Sequence, residues 1–151
     1  MDLLKVKRFL DLVAWAEGAD YNTIVSGIDG KHTFTDFSAH PFANGRPPIV
    51  VNHHGLDSTA SGRYQIRIVT WREVAAHLGL KDFSPASQDA AAIELLRRRH
   101  ALDAIESGDI ATAVRLCRQE WASLPGNEYG QGGKTLAALL DKYAGLEAVN
   151  A

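Results

Sequence analysis

The chain has 151 residues, of which 46% are hydrophobic and 23% charged. That is enough for one domain with a buried core, and it excludes a chain that is disordered over most of its length. A net charge of -2 and an isoelectric point near 6.3 exclude a general nucleic-acid binder, which carries a basic excess.

One cysteine, Cys117, leaves no intrachain disulfide to form, so the fold needs no oxidising compartment. It lies in a helical pattern between Leu116 and Arg118 and reads as a small core residue. Apolar residues Leu3, Leu4, Val6, Phe9 and Leu10 are interrupted by Lys5, Lys7, Arg8 and Asp11, so they form no secretory h-region. No run reaches the roughly 18 apolar residues needed to span a bilayer. The expectation is synthesis and folding in a cytoplasm.

Taken in chain order, residues 3 to 17 predict an amphipathic helix. Val6, Phe9, Leu10, Val13 and Glu17 follow its stripe, and Gly18 stops it. Residues 22 to 37 predict a short β-ribbon, with Asp29-Gly30 as a hairpin-turn dipeptide. Residues 38 to 60 hold Pro41, Pro47 and Pro48 and read as a long loop in which Ile49-Val50-Val51 can add a strand. A helical pattern covers Arg63 to Leu78 and stops at Gly79. Ser84 before Pro85 caps the next helix, which runs to about Arg99. A short helix fits Leu102 to Glu106. Asp109 caps another through Ser123, with Ile110, Val114, Cys117 and Trp121 on one face, and a last one runs from Gly133 to Tyr143. The whole reads as one α+β domain, residues 1 to 151, mostly helical with a small β element.

Glu17 stands out among the ionisable residues. The stripe points it inward, and it lies at a helix C-terminus, the negative end of the dipole. Burial and dipole both disfavour the carboxylate and push the pKa up, toward what a general acid needs at neutral pH. The alternative is a solvated glutamate at a fraying helix end.

Ala14-Trp15-Ala16-Glu17-Gly18 resembles the segment around the catalytic glutamate of the lambda endolysin family. Further blocks follow in the same order. They are Phe34-Thr35-Asp36-Phe37-Ser38 with His40-Pro41, then Ser58-Thr59 and Gly62-Arg63-Tyr64-Gln65. After these come Leu78 to Pro85 with Ser87-Gln88-Asp89, then Gly108-Asp109-Ile110, and Trp121 to Gly126 before Tyr129-Gly130-Gln131. The resemblance spans about residues 9 to 143 and implies a lysozyme-like fold with the β-ribbon lining a substrate cleft. It implies a lytic transglycosylase that cuts the MurNAc–GlcNAc bond of peptidoglycan glycan strands and leaves a 1,6-anhydroMurNAc end. A hydrolytic muramidase acting on the same bond is the alternative, and a non-catalytic wall-binding module is a remote one. Ala16 stands where the lambda member has a serine, and the loop from Pro41 to Leu56 is diverged.

On this reading Glu17 is the catalytic acid. Glycosidases ordinarily use two carboxylates, and Asp20, Asp29 and Asp36 are the nearby candidates for a second. Attack by the sugar's own tethered 6-hydroxyl relaxes that need, because the nucleophile is already beside the anomeric carbon. Asp36 is the first choice as a further cleft residue; its alternative is to stabilise a turn before Ser38. Tyr64 and Gln65 are expected to face the sugar, unless Tyr64 simply packs in the core. Tyr129 and Gln131 are cleft candidates in a Gly-rich turn. The length of the 38 to 60 loop, with Gly45 and Gly55, suits a moving lip.

No cofactor and no metal are expected: His32, His40, His53 and His54 match no ligand spacing. Arg97-Arg98-Arg99 reads as a charged helix end, with attraction to anionic polymers or lipid as the other reading. Trp15, Trp71 and Trp121 read as core. Nothing in the sequence suggests an obligate interface, so a monomer is expected. The resemblance implies a protein made in the host cytoplasm that reaches periplasmic peptidoglycan through a separate holin-type membrane protein.

Overall fold

The computed structural model describes residues 1–125 and 134–149. Among them are six helices and two small antiparallel sheets, the expected α+β architecture. The chain divides into two units, one made of residues 1–18 and 92–151, the other of residues 19–91.

The first unit is helical. Its first element, α1 (Leu3–Glu17), is capped by Asp2, whose carboxylate accepts from the Lys5 amide. Gly18 ends it in the left-handed conformation, φ 64°, with its amide donating back to the carbonyls of Ala14 and Trp15. The stripe read from the sequence is the buried face: Val6, Phe9, Leu10, Leu12 and Val13 are closed to solvent. This face packs on α4 (Leu102–Ser107) and α6 (Leu136–Val149). Asp109 caps α5 (Ile110–Cys117) by accepting from the Thr112 amide. The expected apolar face of Ile110, Val114, Cys117 and Trp121 is buried. The helix itself stops at Cys117, six residues short of the expected end at Ser123, and Trp121 is carried inward by the turn that follows. The Cys117 thiol is buried, which pushes its pKa up to about 12. Trp15 departs from the expected core role: it is half-buried, with the ammonium groups of Lys134 and Lys142 4.8 and 5.6 Å from its ring centre.

The second unit starts with the ribbon, β1 (Thr23–Gly27) and β2 (Gly30–Thr33), paired Thr23 to Thr33 and Ile24 to His32. The 38 to 60 stretch is more ordered than its composition suggests. It forms a second hairpin, β3 (Ile49–Val50) and β4 (Asp57–Ser58). The Asn52 side chain closes its turn by accepting from the amides of His54 and Leu56. The Ile28 amide donates to the Val50 carbonyl, which ties the two hairpins together.

The expected helix from Arg63 begins only at Ile68 (α2, Ile68–Leu78). Residues 61 to 66 fold instead into a tight bridge between Ser61 and Ile66, with Gly62 at φ 82° and Gln65 at φ 50°. Thr59 Oγ1 accepts from the Ile68 amide and so satisfies one of the orphan donors of the new helix. Ser84 caps α3 (Pro85–Arg98) as expected: its hydroxyl accepts from the Ser87 amide. The last helix, α6, runs six residues past Tyr143, and its expected start at Gly133 lies outside the described residues. Among the described residues, no helix is long and apolar enough to cross a membrane.

Candidate active site

Glu17 closes α1, one residue before the left-handed Gly18. Its side chain is partly buried, and its pKa rises from 4.5 to about 7. Desolvation is the dominant cause, since burial penalises the charged form. The hydroxyl and amide of Ser123 pull more weakly in the other direction. Ser123 Oγ is itself buried. Near neutral pH Glu17 is thus poised between acid and carboxylate, the condition for giving a proton and taking one back. Sequence reasoning did not single out Ser123. Its position 106 residues further along the chain carries no local signal.

Within the second unit, a recess of about 630 Å³ is lined by Thr33, Thr35, Asp36, Asn44 and Arg46, among others. Asp36 is exposed on its wall. The Ser38 hydroxyl, followed by the Ser38 amide that donates to Asp36 Oδ1 at 2.9 Å, holds this carboxyl below its ordinary pKa. Asp36 therefore makes the turn and also faces the recess as a carboxylate. Asp20 and Asp29 are exposed and locally engaged, Asp20 with the Tyr21 amide and Asp29 with His32.

Tyr64 is 1% exposed, so its ring offers no open face to a sugar. Its hydroxyl donates to Asp89 Oδ1 at 2.5 Å, Tyr21 donates to the same oxygen at 2.9 Å, and Arg63 Nη1 donates to the Tyr64 oxygen at 2.9 Å. Burial is the largest cause of a Tyr64 pKa far above the ordinary phenol value, followed by the bond to Asp89. Gln65 is half-buried and directs its amide to the carbonyls of Gly62 and Thr23. The structure thus joins Tyr64 and Gln65 in one buried brace. Gln88, fully buried, completes it: its amide nitrogen donates to the carbonyls of Tyr21 and Phe83, and its oxygen accepts from the Arg63 amide. A Cβ on Gly62 would lie 2.3 Å from that Gln88 oxygen, so glycine is required there for space as well as for its φ. Tyr129 and Gln131 lie outside the described residues.

His40 is 1% exposed and lies against Phe42, Trp71 and Phe83. Its Nε2 donates to the Ile66 carbonyl at 2.8 Å, and its Nδ1 accepts from the Phe42 amide at 3.2 Å. These two bonds fix one neutral tautomer, and burial lowers the pKa to about 4. Both ring nitrogens are thereby occupied. Among the described residues, no group of three or more His, Cys, Asp or Glu is placed to hold a metal ion.

Comparison with known proteins extends this picture. The endolysin family model matches residues 7–148. The chain is 48% identical over 145 residues to the endolysin of Escherichia phage P2, covering 89% of this chain and 88% of that protein. It is 42% identical over 147 residues to the endolysin of Escherichia phage lambda, covering 91% and 87%. Among solved structures, bacteriophage lambda lysozyme in complex with a chitohexasaccharide aligns with a TM-score of 0.85 at 40% identity, covering 95% of this chain and 94% of that one. A further structure of lysozyme from bacteriophage lambda aligns at 0.80 and 38%, covering 94% and 93%. The match along almost the whole sequence and the shared lysozyme architecture settle the assignment: the chain belongs to the endolysin family, as a member of its lambda type.

Proposed function

We propose that the protein is a peptidoglycan lytic transglycosylase that cuts the bond between MurNAc and GlcNAc and closes a 1,6-anhydro ring on the muramic acid. The observation that carries this reading is Glu17, a carboxyl raised to about 7 by burial. In the first step Glu17 gives its proton to the glycosidic oxygen as the C1–O bond breaks. In the second, the 6-hydroxyl of the same muramic acid attacks C1, and the Glu17 carboxylate takes its proton. The acid is regenerated and no water is consumed. The tethered hydroxyl has the advantage of proximity, so a carboxylate nucleophile is not required. Glycan as the substrate class is supported by the lambda lysozyme complex with a chitohexasaccharide.

In the same proposal Asp36 contacts glycan from its recess. The buried brace of Tyr64, Gln65 and Asp89 positions the backbone around residues 61 to 66, while Tyr129 and Gln131 are assigned to the glycan on the resemblance alone. The enzyme acts as a monomer. It is made in the host cytoplasm and reaches periplasmic peptidoglycan through a separate holin-type membrane protein.

The test is mass spectrometry of muropeptides released from purified sacculi, with and without borohydride. Anhydro ends that resist reduction are the expected product. Reducible MurNAc ends from the wild-type enzyme would instead identify a hydrolytic muramidase with the same fold and acid.

A further inference from the structure

A second recess, of about 290 Å³, lies in the first unit, and none of its lining residues is assigned above to the glycan. Arg98, Arg99 and His100 line it from the end of α3, and Arg115 and Arg118 from α5 and the turn behind it. No carboxylate is among its described lining residues. Neighbouring acids pair with several of these guanidinium groups. Glu94 receives Arg97 through two bonds, at 2.7 and 2.6 Å, and Arg98 at 2.7 Å. Arg99 Nε donates to Glu120 and Nη1 to Gln119. A guanidinium carries five N–H donors, so Arg99 spends two of its five on these partners.

Complementing the α3 dipole accounts for cations at the end of that helix. The same holds for Arg115 and Arg118 at the end of α5, but the dipoles do not account for two helix ends bringing their cations to one hollow against the repulsion of like charges. Nor is this general basicity, because the whole chain carries a net charge of -2. A cluster of planar, forked donors in a small hollow matches the tetrahedral oxygens of a phosphate group, which arginine binds in bidentate fashion.

We propose that this recess is a binding site for the phosphate group of a phosphate-bearing ligand, whether a soluble phosphate ester or a lipid headgroup.

The test is isothermal titration calorimetry of the full chain with inorganic pyrophosphate at low ionic strength. Arg115 is exposed, so Arg115→Glu leaves the fold intact. The expected result is saturable binding to wild type, weakened by added salt and weakened about tenfold or more in Arg115→Glu, with Arg115→Lys in between. No saturable heat with wild type, or equal affinity in Arg115→Glu, would overturn the site. Co-sedimentation with vesicles of phosphatidylglycerol and phosphatidylcholine, against phosphatidylcholine alone, identifies the source. Retention on the anionic vesicles that Arg115→Glu abolishes assigns a lipid headgroup. Pyrophosphate binding without retention assigns a soluble phosphate. Either outcome upholds the site, which does not depend on the chemistry at Glu17.

Discussion

A carboxyl group held near pH 7 by burial responds to pH in two measurable ways. As a general acid, Glu17 works protonated, so turnover on purified sacculi is expected to fall as pH rises through about 7. Glu17→Gln should lose about 10²- to 10⁴-fold in rate, the usual contribution of a positioned acid–base group. Stability falls in the same direction. The folded state binds the Glu17 proton more tightly than the unfolded chain does, so stability falls as pH climbs from 4.5 to about 7 and levels off above that. Glu17→Gln should remove this slope and be more stable than wild type at pH 8, by up to about 3 kcal/mol in urea unfolding. Equal stability at pH 8 would show that the carboxyl is not desolvated as described. His40 has the opposite sign. Its folded pKa is depressed to about 4, so its contribution is complete above 6.5 and is lost as pH falls from 6.5 toward 4. His40→Phe should be destabilised at pH 7 by about 1–3 kcal/mol for its unpaired backbone partners, with the gap to wild type narrowing toward pH 4.

Among the elements, the segment 61 to 66 shows where local sequence misleads. Its composition continues smoothly into the helical pattern of α2. Gly62 and Gln65 nevertheless adopt positive φ, and the helix waits for Ile68. The cause is Gln88 on α3, whose side chain occupies the space beside Gly62 and binds the Arg63 amide. That constraint comes from 26 positions away, and no periodicity displays it. Gly62→Ala meets both the strained φ and the Gln88 oxygen, and is expected to cost about 2–4 kcal/mol, read as a lower urea midpoint. The same lesson holds for α5. Its apolar face was legible, but its end at Cys117 depends on a turn that still delivers Trp121 to the core, and an apolar stripe cannot tell a turn from another helical turn. Caps were the most legible feature. Ser84 and Asp109, both expected as caps, each accept from an amide three residues on, a purely local device.

At the level of the whole molecule, the α+β class and the element order follow from periodicity and turn residues, because those signals are local. Glu17 is legible as a candidate only as a tension, a glutamate on an apolar stripe at the wrong end of a dipole. The stripe alone is equally compatible with a solvated helix end, and only the ordered blocks of family resemblance distinguish the two. The roles of Tyr64 and Gln65 were less legible, since residue type announces a sugar contact and a buried brace in the same way. Between pH 4.5 and 6.5 the opposing slopes of Glu17 and His40 should partly cancel. The stability profile there is therefore expected to be flatter in wild type than in either Glu17→Gln or His40→Phe, as measured by urea midpoints across that range.

Cys117 has a practical consequence. A thiol that is closed to solvent and shifted to about 12 is unreactive toward alkylating reagents in the native protein. Maleimide should therefore label the chain only when the core around α5 opens, which turns one buried side chain into a clock for large-scale opening. It also makes the natural sequence a silent background. A cysteine placed in the turn between β3 and β4 would carry a dye at that single point, and whether that hairpin moves when glycan is added could be read by fluorescence without first deleting anything from the protein.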